Sequence, residues 1–208
     1  MKGLLVKDLL VLRKYARTMV VFILVYIVVF SMLDSVDVIS GMVTLVLAMM
    51  SVATFSYDEL AKWDRFGLTM PVSRNQVVAS RYLVCLLFTL IGGVVTLAFR
   101  LGFGYFRNTG DPAESVLSAY TILSVAILFL SLILPFLYKF GPERGRLFMI
   151  LVFLLPSMLL LFFKDSVFAL FPSEETIEQA LVFTLPVALA ALLLSFFISC
   201  RIYAKKEF

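Results

Sequence analysis

The chain has 208 residues, of which 62% are hydrophobic and 15% charged, with a mean hydropathy of +1.04. Too few polar side chains remain to cover a soluble core, so the composition excludes a water-soluble globular domain and makes a bilayer the solvent. The formal charge of +4 comes from cations flanking apolar stretches rather than from one basic face, which reads as membrane orientation and not as nucleic-acid binding.

The first 17 residues interleave charge with apolar side chains. At helical spacing Leu5, Leu9, Leu12 and Ala16 share one face while Lys7, Arg13, Lys14 and Arg17 gather on the other, which predicts an amphipathic interfacial helix over residues 1–17. Val6 and Leu10 break the separation, so a ragged juxtamembrane extension of the first span also fits. No small-residue cleavage site follows, and the first apolar segment is expected to remain as a transmembrane helix.

Apolar stretches then fall near residues 19–33, 38–55, 83–103, 116–138, 147–163 and 181–200. Each approaches or exceeds the roughly 20 residues a helix needs to cross about 30 Å of hydrocarbon. The predicted fold is an all-α polytopic membrane protein with six transmembrane helices, forming a single transmembrane domain over residues 1–208.

Six crossings return the chain to its starting side, and charge identifies that side. Fifteen of the eighteen Lys and Arg residues lie in the segments facing it, including Lys7, Arg13, Lys62, Arg74, Arg81, Arg144 and Arg201. Only Arg100, Arg107 and Lys164 lie on the other, among eight acids. The positive-inside rule therefore predicts cytoplasmic N and C termini in a bacterial inner (plasma) membrane.

One inside segment, residues 56–75, differs from the rest. It holds Trp63, the single Trp of the chain, and three acids, Asp58, Glu59 and Asp64. Asp58 and Lys62 are spaced for an i,i+4 helix pair, Tyr57, Leu60 and Phe66 offer apolar anchors, and Gly67 is placed to end the helix before Pro71. Ser73 and Gln76 then form a capping box leading into the third span. The segment reads either as a partner-binding surface or as an amphipathic connector anchored by Trp63 at the lipid headgroups.

Outside, Gly110, Asp111 and Pro112 mark a short turn, and Ser173 before Glu174 and Glu175 marks the start of the last span. Arg100, toward the outer end of the third span, reads as an interfacial anchor, a residue lining a translocation path, or a partner of Asp111 or Glu114. Gly92 and Gly93 permit close helix approach in the same span. Pro135, Pro156 and Pro186 put a helix breaker in each of the last three spans. Cys85 and Cys200 sit near cytoplasmic span ends, where a structural disulfide is not expected.

Tyr57-Asp58-Glu59, Trp63-Asp64 and Pro71-Val72-Ser73-Arg74, with the opening Met1-Lys-Gly-Leu-Leu-Val-Lys7-Asp8, resemble the permease subunits of type-2 ABC exporters. Within them the chain is most similar to the small six-span group that includes permeases of phenol-soluble-modulin-type peptide exporters. The resemblance spans the whole topology, and its specific residues lie mostly in the first 82. It implies that the stretch after span two is the coupling helix that docks on an ATPase subunit, with Tyr57, Asp58, Glu59, Trp63, Asp64, Arg65 and Phe66 as the docking residues. It implies a separate ABC ATPase, a second permease copy or sibling, and outward movement of peptides or other amphipathic cargo.

The chain itself carries no catalytic signature. No G-x-x-x-x-G-K-[ST] motif occurs, so ATP and Mg are expected on the partner and no cofactor on this chain. The absence of His removes the usual general base and metal ligand, and no catalytic or metal site is expected. The other reading is an ATPase-independent small membrane protein, such as a scaffold, immunity factor or channel.

Overall fold

The computed structural model describes residues 2–31, 36–63, 73–107, 111–169 and 174–206, with no strand among them. The helices are α1 (Lys2–Ser31), α2 (Val36–Leu60), α3 (Arg74–Arg107), α4 (Pro112–Ala169) and α5 (Glu174–Lys205). Their starts follow local chemistry. The Ser73 Oγ accepts the Gln76 N–H at 3.3 Å while the Gln76 side-chain oxygen accepts the Ser73 N–H at 3.3 Å, the reciprocal capping box expected from the sequence. The Asp111 carboxylate accepts the Ala113 N–H at 3.0 Å and caps α4, whose first residue, Pro112, lacks an N–H that a helix start leaves unused anyway.

Four helical segments among the described residues are long and apolar enough to cross a membrane: Gly41–Leu60, Arg74–Phe106, Pro112–Gly145 and Ala180–Lys205. They contain the expected spans at 38–55, 83–103, 116–138 and 181–200, apart from the first residues of the earliest. Those expected at 19–33 and 147–163 belong to α1, apart from 32 and 33, which lie outside the described residues, and to the later part of α4. The chain is an α-helical polytopic membrane protein.

Two boundaries differ from the sequence reading. α1 is one continuous helix of 30 residues, not an interfacial piece followed by a span. Its N-terminal part climbs beside α3: Asp8 meets Arg81, Leu12 packs with Met50 and Val84, and Ile23 packs near Val43, Val95 and Phe99. On the leucine face Leu12 is buried against protein and Leu5 half-buried, while Leu9 stays exposed, so part of the amphipathic face packs on the neighbouring helices.

The second difference is the end of α2. The helix closes at Leu60, with the Lys62 N–H bonded to the Glu59 carbonyl at 3.0 Å and Lys62 itself at φ +49°. The left-handed conformation disfavours a non-glycine residue by about 1 kcal/mol. The expected stop at Gly67, and Pro71 after it, lie outside the described residues.

α4 is helical over 58 residues but is not a straight rod. The rings of Phe136 and Phe148 stack with centroids 4.3 Å apart, whereas twelve residues of straight helix would separate them by about 18 Å. The chain turns at Gly141, whose φ of +78° suits glycine, and Pro142 follows. The second limb folds back so that Met149 and Val152 join the core built on Ile133, Leu134 and Leu137.

Polar groups join the helices inside this apolar bundle. Thr44 on α2 and Thr96 on α3 share a hydrogen bond of 2.7 Å, and a Cβ on Gly92 would lie 3.1 Å from the Thr44 Cα. Glycine at 92 is what lets these two backbones approach. A Cβ on Gly93 would touch Leu123 of α4 at 3.0 Å. The Tyr82 hydroxyl of α3 bonds both Ser195 and Ser199 of α5 at 2.7 Å.

Candidate functional site

The start of α1, the end of α2, the start of α3, the turn of α4 and the end of α5 meet at one end of the bundle. Arg74, the first residue of α3, places its Nη1 on the carbonyls of Tyr203, Ala204 and Lys206 at 3.2, 2.6 and 3.2 Å. They lie at the end of α5, where carbonyls run short of helical donors and a cation also complements the helix dipole, although the Tyr203 carbonyl also accepts the Lys206 N–H at 3.4 Å.

Four charges from three helices form the centre of this end. The Lys7 ammonium donates to both Asp58 oxygens at 2.9 and 2.7 Å, and it lies 3.2 Å from Asp8. Arg81 pairs with Asp8 at 3.2 Å and with Asp58. Asp8 and Arg81 are buried at 1% and 5% relative exposure. Two cations and two carboxylates leave the cluster neutral, which is the condition for burying charge at tolerable cost.

Aromatic rings enclose the cluster. Lys7 lies 4.1 Å from the centroid of the Trp63 ring, and Arg81 lies 5.0 Å from that of Phe55. Phe55 meets Tyr138 edge to face at 5.2 Å, and Tyr138 meets Tyr203 at 5.6 Å. A cavity of about 80 Å³ lies beside them, lined among others by Asp58, Glu59, Arg81, Tyr138, Gly141 and Lys206. An outer cleft of about 200 Å³ runs between Ser56, Glu59 and Leu60 on α2 and Pro142 and Glu143 at the α4 turn.

The expected docking residues separate into different environments. Tyr57 is half-buried on the last turn of α2. Asp58 points inward, to Lys7 and Arg81 rather than to Lys62, so the expected i,i+4 pair gives way to the buried cluster. Glu59 is exposed, with its carboxylate against the α4 turn: an Oε1 atom lies 3.2 Å from where a Cβ on Gly141 would stand. Leu60 is 81% exposed. Trp63 lies just past the turn, under Lys7. Asp64, Arg65 and Phe66 lie outside the described residues.

Arg100 is on α3 far from this cluster and is buried at 8% exposure, deeper than an interfacial anchor in lipid contact. Asp111, one expected companion, uses its carboxylate to cap α4.

Sequence reading missed Asp8 and the shared role of Lys7 and Arg81. The signal was present: Asp8 stands three residues after Leu5 and four before Leu12, on the leucine face of α1. An acid on an apolar face implies a buried cation opposite it.

Residues 3–204 match the family described as ABC-2 family transporter protein. No curated protein and no solved structure matches the chain. A match running over nearly the whole length, on an α-helical polytopic fold with its charged helix ends gathered together, identifies the chain as a member of the ABC-2 transporter family and a permease component of its membrane domain.

Proposed function

We propose that this chain is the membrane-spanning permease subunit of an ATP-driven exporter. ABC-2 permeases generally work with an ATPase subunit in a lipid membrane. The sequence lacks a P-loop, so ATP and Mg are assigned to a separate ATPase and this chain carries no enzymatic activity of its own. Six crossings with both termini in the cytoplasm of a bacterial cell are supported by the fifteen-to-three division of basic residues. A second permease copy or sibling completes the path. The resemblance to peptide-exporter permeases supports an amphipathic, peptide-like cargo.

The ATPase docks on the end of α2, through Tyr57, Glu59, Leu60 and Trp63 and onward through Asp64, Arg65 and Phe66. Asp58 has a different part. It ties the end of α2 to α1 and α3 through Lys7 and Arg81, so a push on the docking surface moves three helices as one body. This connection is the observation that carries the proposal.

The test is to purify a tagged chain from its native membrane in mild detergent and identify what accompanies it by mass spectrometry. A P-loop ATPase is expected, and Trp63→Ala combined with Glu59→Gln is expected to release it while membrane insertion persists. Purification without any ATPase, even after cross-linking in the membrane, would refute the assignment.

A further inference from the structure

Two consecutive acids at the end of α2 face two different bodies. Asp58 is held in the buried cluster with Lys7 and Arg81, whose side-chain exposures are 16%, 21% and 6%. Glu59, about 100° further round the helix, is exposed and faces Gly141 at the turn of α4. These two attachments differ in kind. Separating the first leaves Asp58 without a cation and takes one of two carboxylates from each of Lys7 and Arg81, whereas water can replace whatever the exposed Glu59 carboxylate touches.

Space is distributed in the same sense. The cavity of about 80 Å³ and the cleft of about 200 Å³ both border Glu59 and the α4 turn. The cleft lies between α2 and the turn, and the smaller cavity reaches from there to Asp58 and Arg81, so the Glu59 side of α2 is less tightly filled than the Asp58 side. The turn depends on a glycine at positive φ, and a side chain there would be strained and would press on Glu59.

We propose that the seat of the Glu59 carboxylate beside the α4 turn is a releasable joint. The α4 turn swings away from the end of α2 and back, while Asp58 keeps α2 fixed to α1 and α3. Resting on the permease reading, this joint lets the docking surface move relative to the α4 hairpin without unpacking the charged cluster, so the cleft widens and narrows during the cycle.

The experiment places spin labels at Ser56 and Glu143, across the cleft, and in a second sample at Gly3 and Ser56, across the fixed side, with Cys85 and Cys200 replaced by Ala. Distances are measured by pulsed electron resonance on the full chain in lipid nanodiscs. Glu59→Ala and Gly141→Ala are expected to shift or broaden the first distance and leave the second unchanged, and Asp58→Asn to disturb the second. In the complex with a co-purified ATPase, adding nucleotide is expected to shift only the first. Equal effects on both pairs, no effect of Glu59→Ala or Gly141→Ala on the first, or a first distance indifferent to nucleotide would overturn the joint. Failure to recover an ATPase refutes the permease reading instead, because the comparison of variants uses the chain alone.

Discussion

The Tyr120 hydroxyl donates a hydrogen bond of 2.5 Å to the Val182 carbonyl, and that carbonyl belongs to the residue four places before Pro186 inside α5. A proline has no N–H to return to its i−4 carbonyl. In an apolar setting an unsatisfied carbonyl is costly, and a side chain from the neighbouring helix supplies the missing donor.

Tyr120→Phe is therefore expected to destabilise the protein by about 1 kcal/mol. In a Pro186→Ala background, where the backbone N–H is restored, the same change should have little effect. Thermal unfolding of the four proteins in detergent provides the cycle, and equal losses in both backgrounds would show that the bond does not compensate for the proline.

Asp58→Asn is expected to cost about 3 kcal/mol, because Lys7 and Arg81 would keep their charges with one carboxylate fewer to balance them. Its neighbour gives the control: Glu59→Gln, at an exposed position, should change stability by no more than about 0.5 kcal/mol. Midpoints of thermal unfolding in nanodiscs separate the two. Similar values for both would mean that Asp58 is not held in the cluster.

Gly92→Ala should destabilise by about 1–3 kcal/mol, since its Cβ would meet the Thr44 backbone at 3.1 Å, where nothing flexible can yield. Gly102 lies on the same helix with nothing within 4 Å of its Cβ position. Gly102→Ala should be neutral or mildly stabilising. Reversal of that order would exclude close packing as the reason for glycine at 92.

Orientation is tested by labelling with a membrane-impermeant thiol reagent in a chain lacking Cys85 and Cys200. A cysteine at Glu114, exposed near the start of α4, is expected to react from outside intact cells, and one at Arg144, beside the α4 turn, only after permeabilisation. The reverse pattern would invert the topology.

Local rules explain what was legible from sequence. Ser73 with Gln76 declares a helix start because a cap involves only residues within one turn of each other, whereas Asp111, which reads as a turn former, proves to cap α4. The glycines at 92 and 93 announced close packing for a similar reason: absence of a side chain is visible in sequence, though the partners Thr44 and Leu123 are not. The direction of Asp58 was hidden. Its nearest oppositely charged residue along the chain was Lys62, yet the partners it takes are Lys7, 51 residues earlier, and Arg81.

The sequence by itself determined that the chain lives in a bilayer as helices and where most apolar segments lie, because hydropathy is a sum over consecutive residues and needs no knowledge of neighbours. Tertiary structure alone decided how the end of α2 is used. Consecutive acids on a helix point about 100° apart, and only the packing of α1, α3 and the α4 turn around them decides which is buried among cations and which faces a cleft.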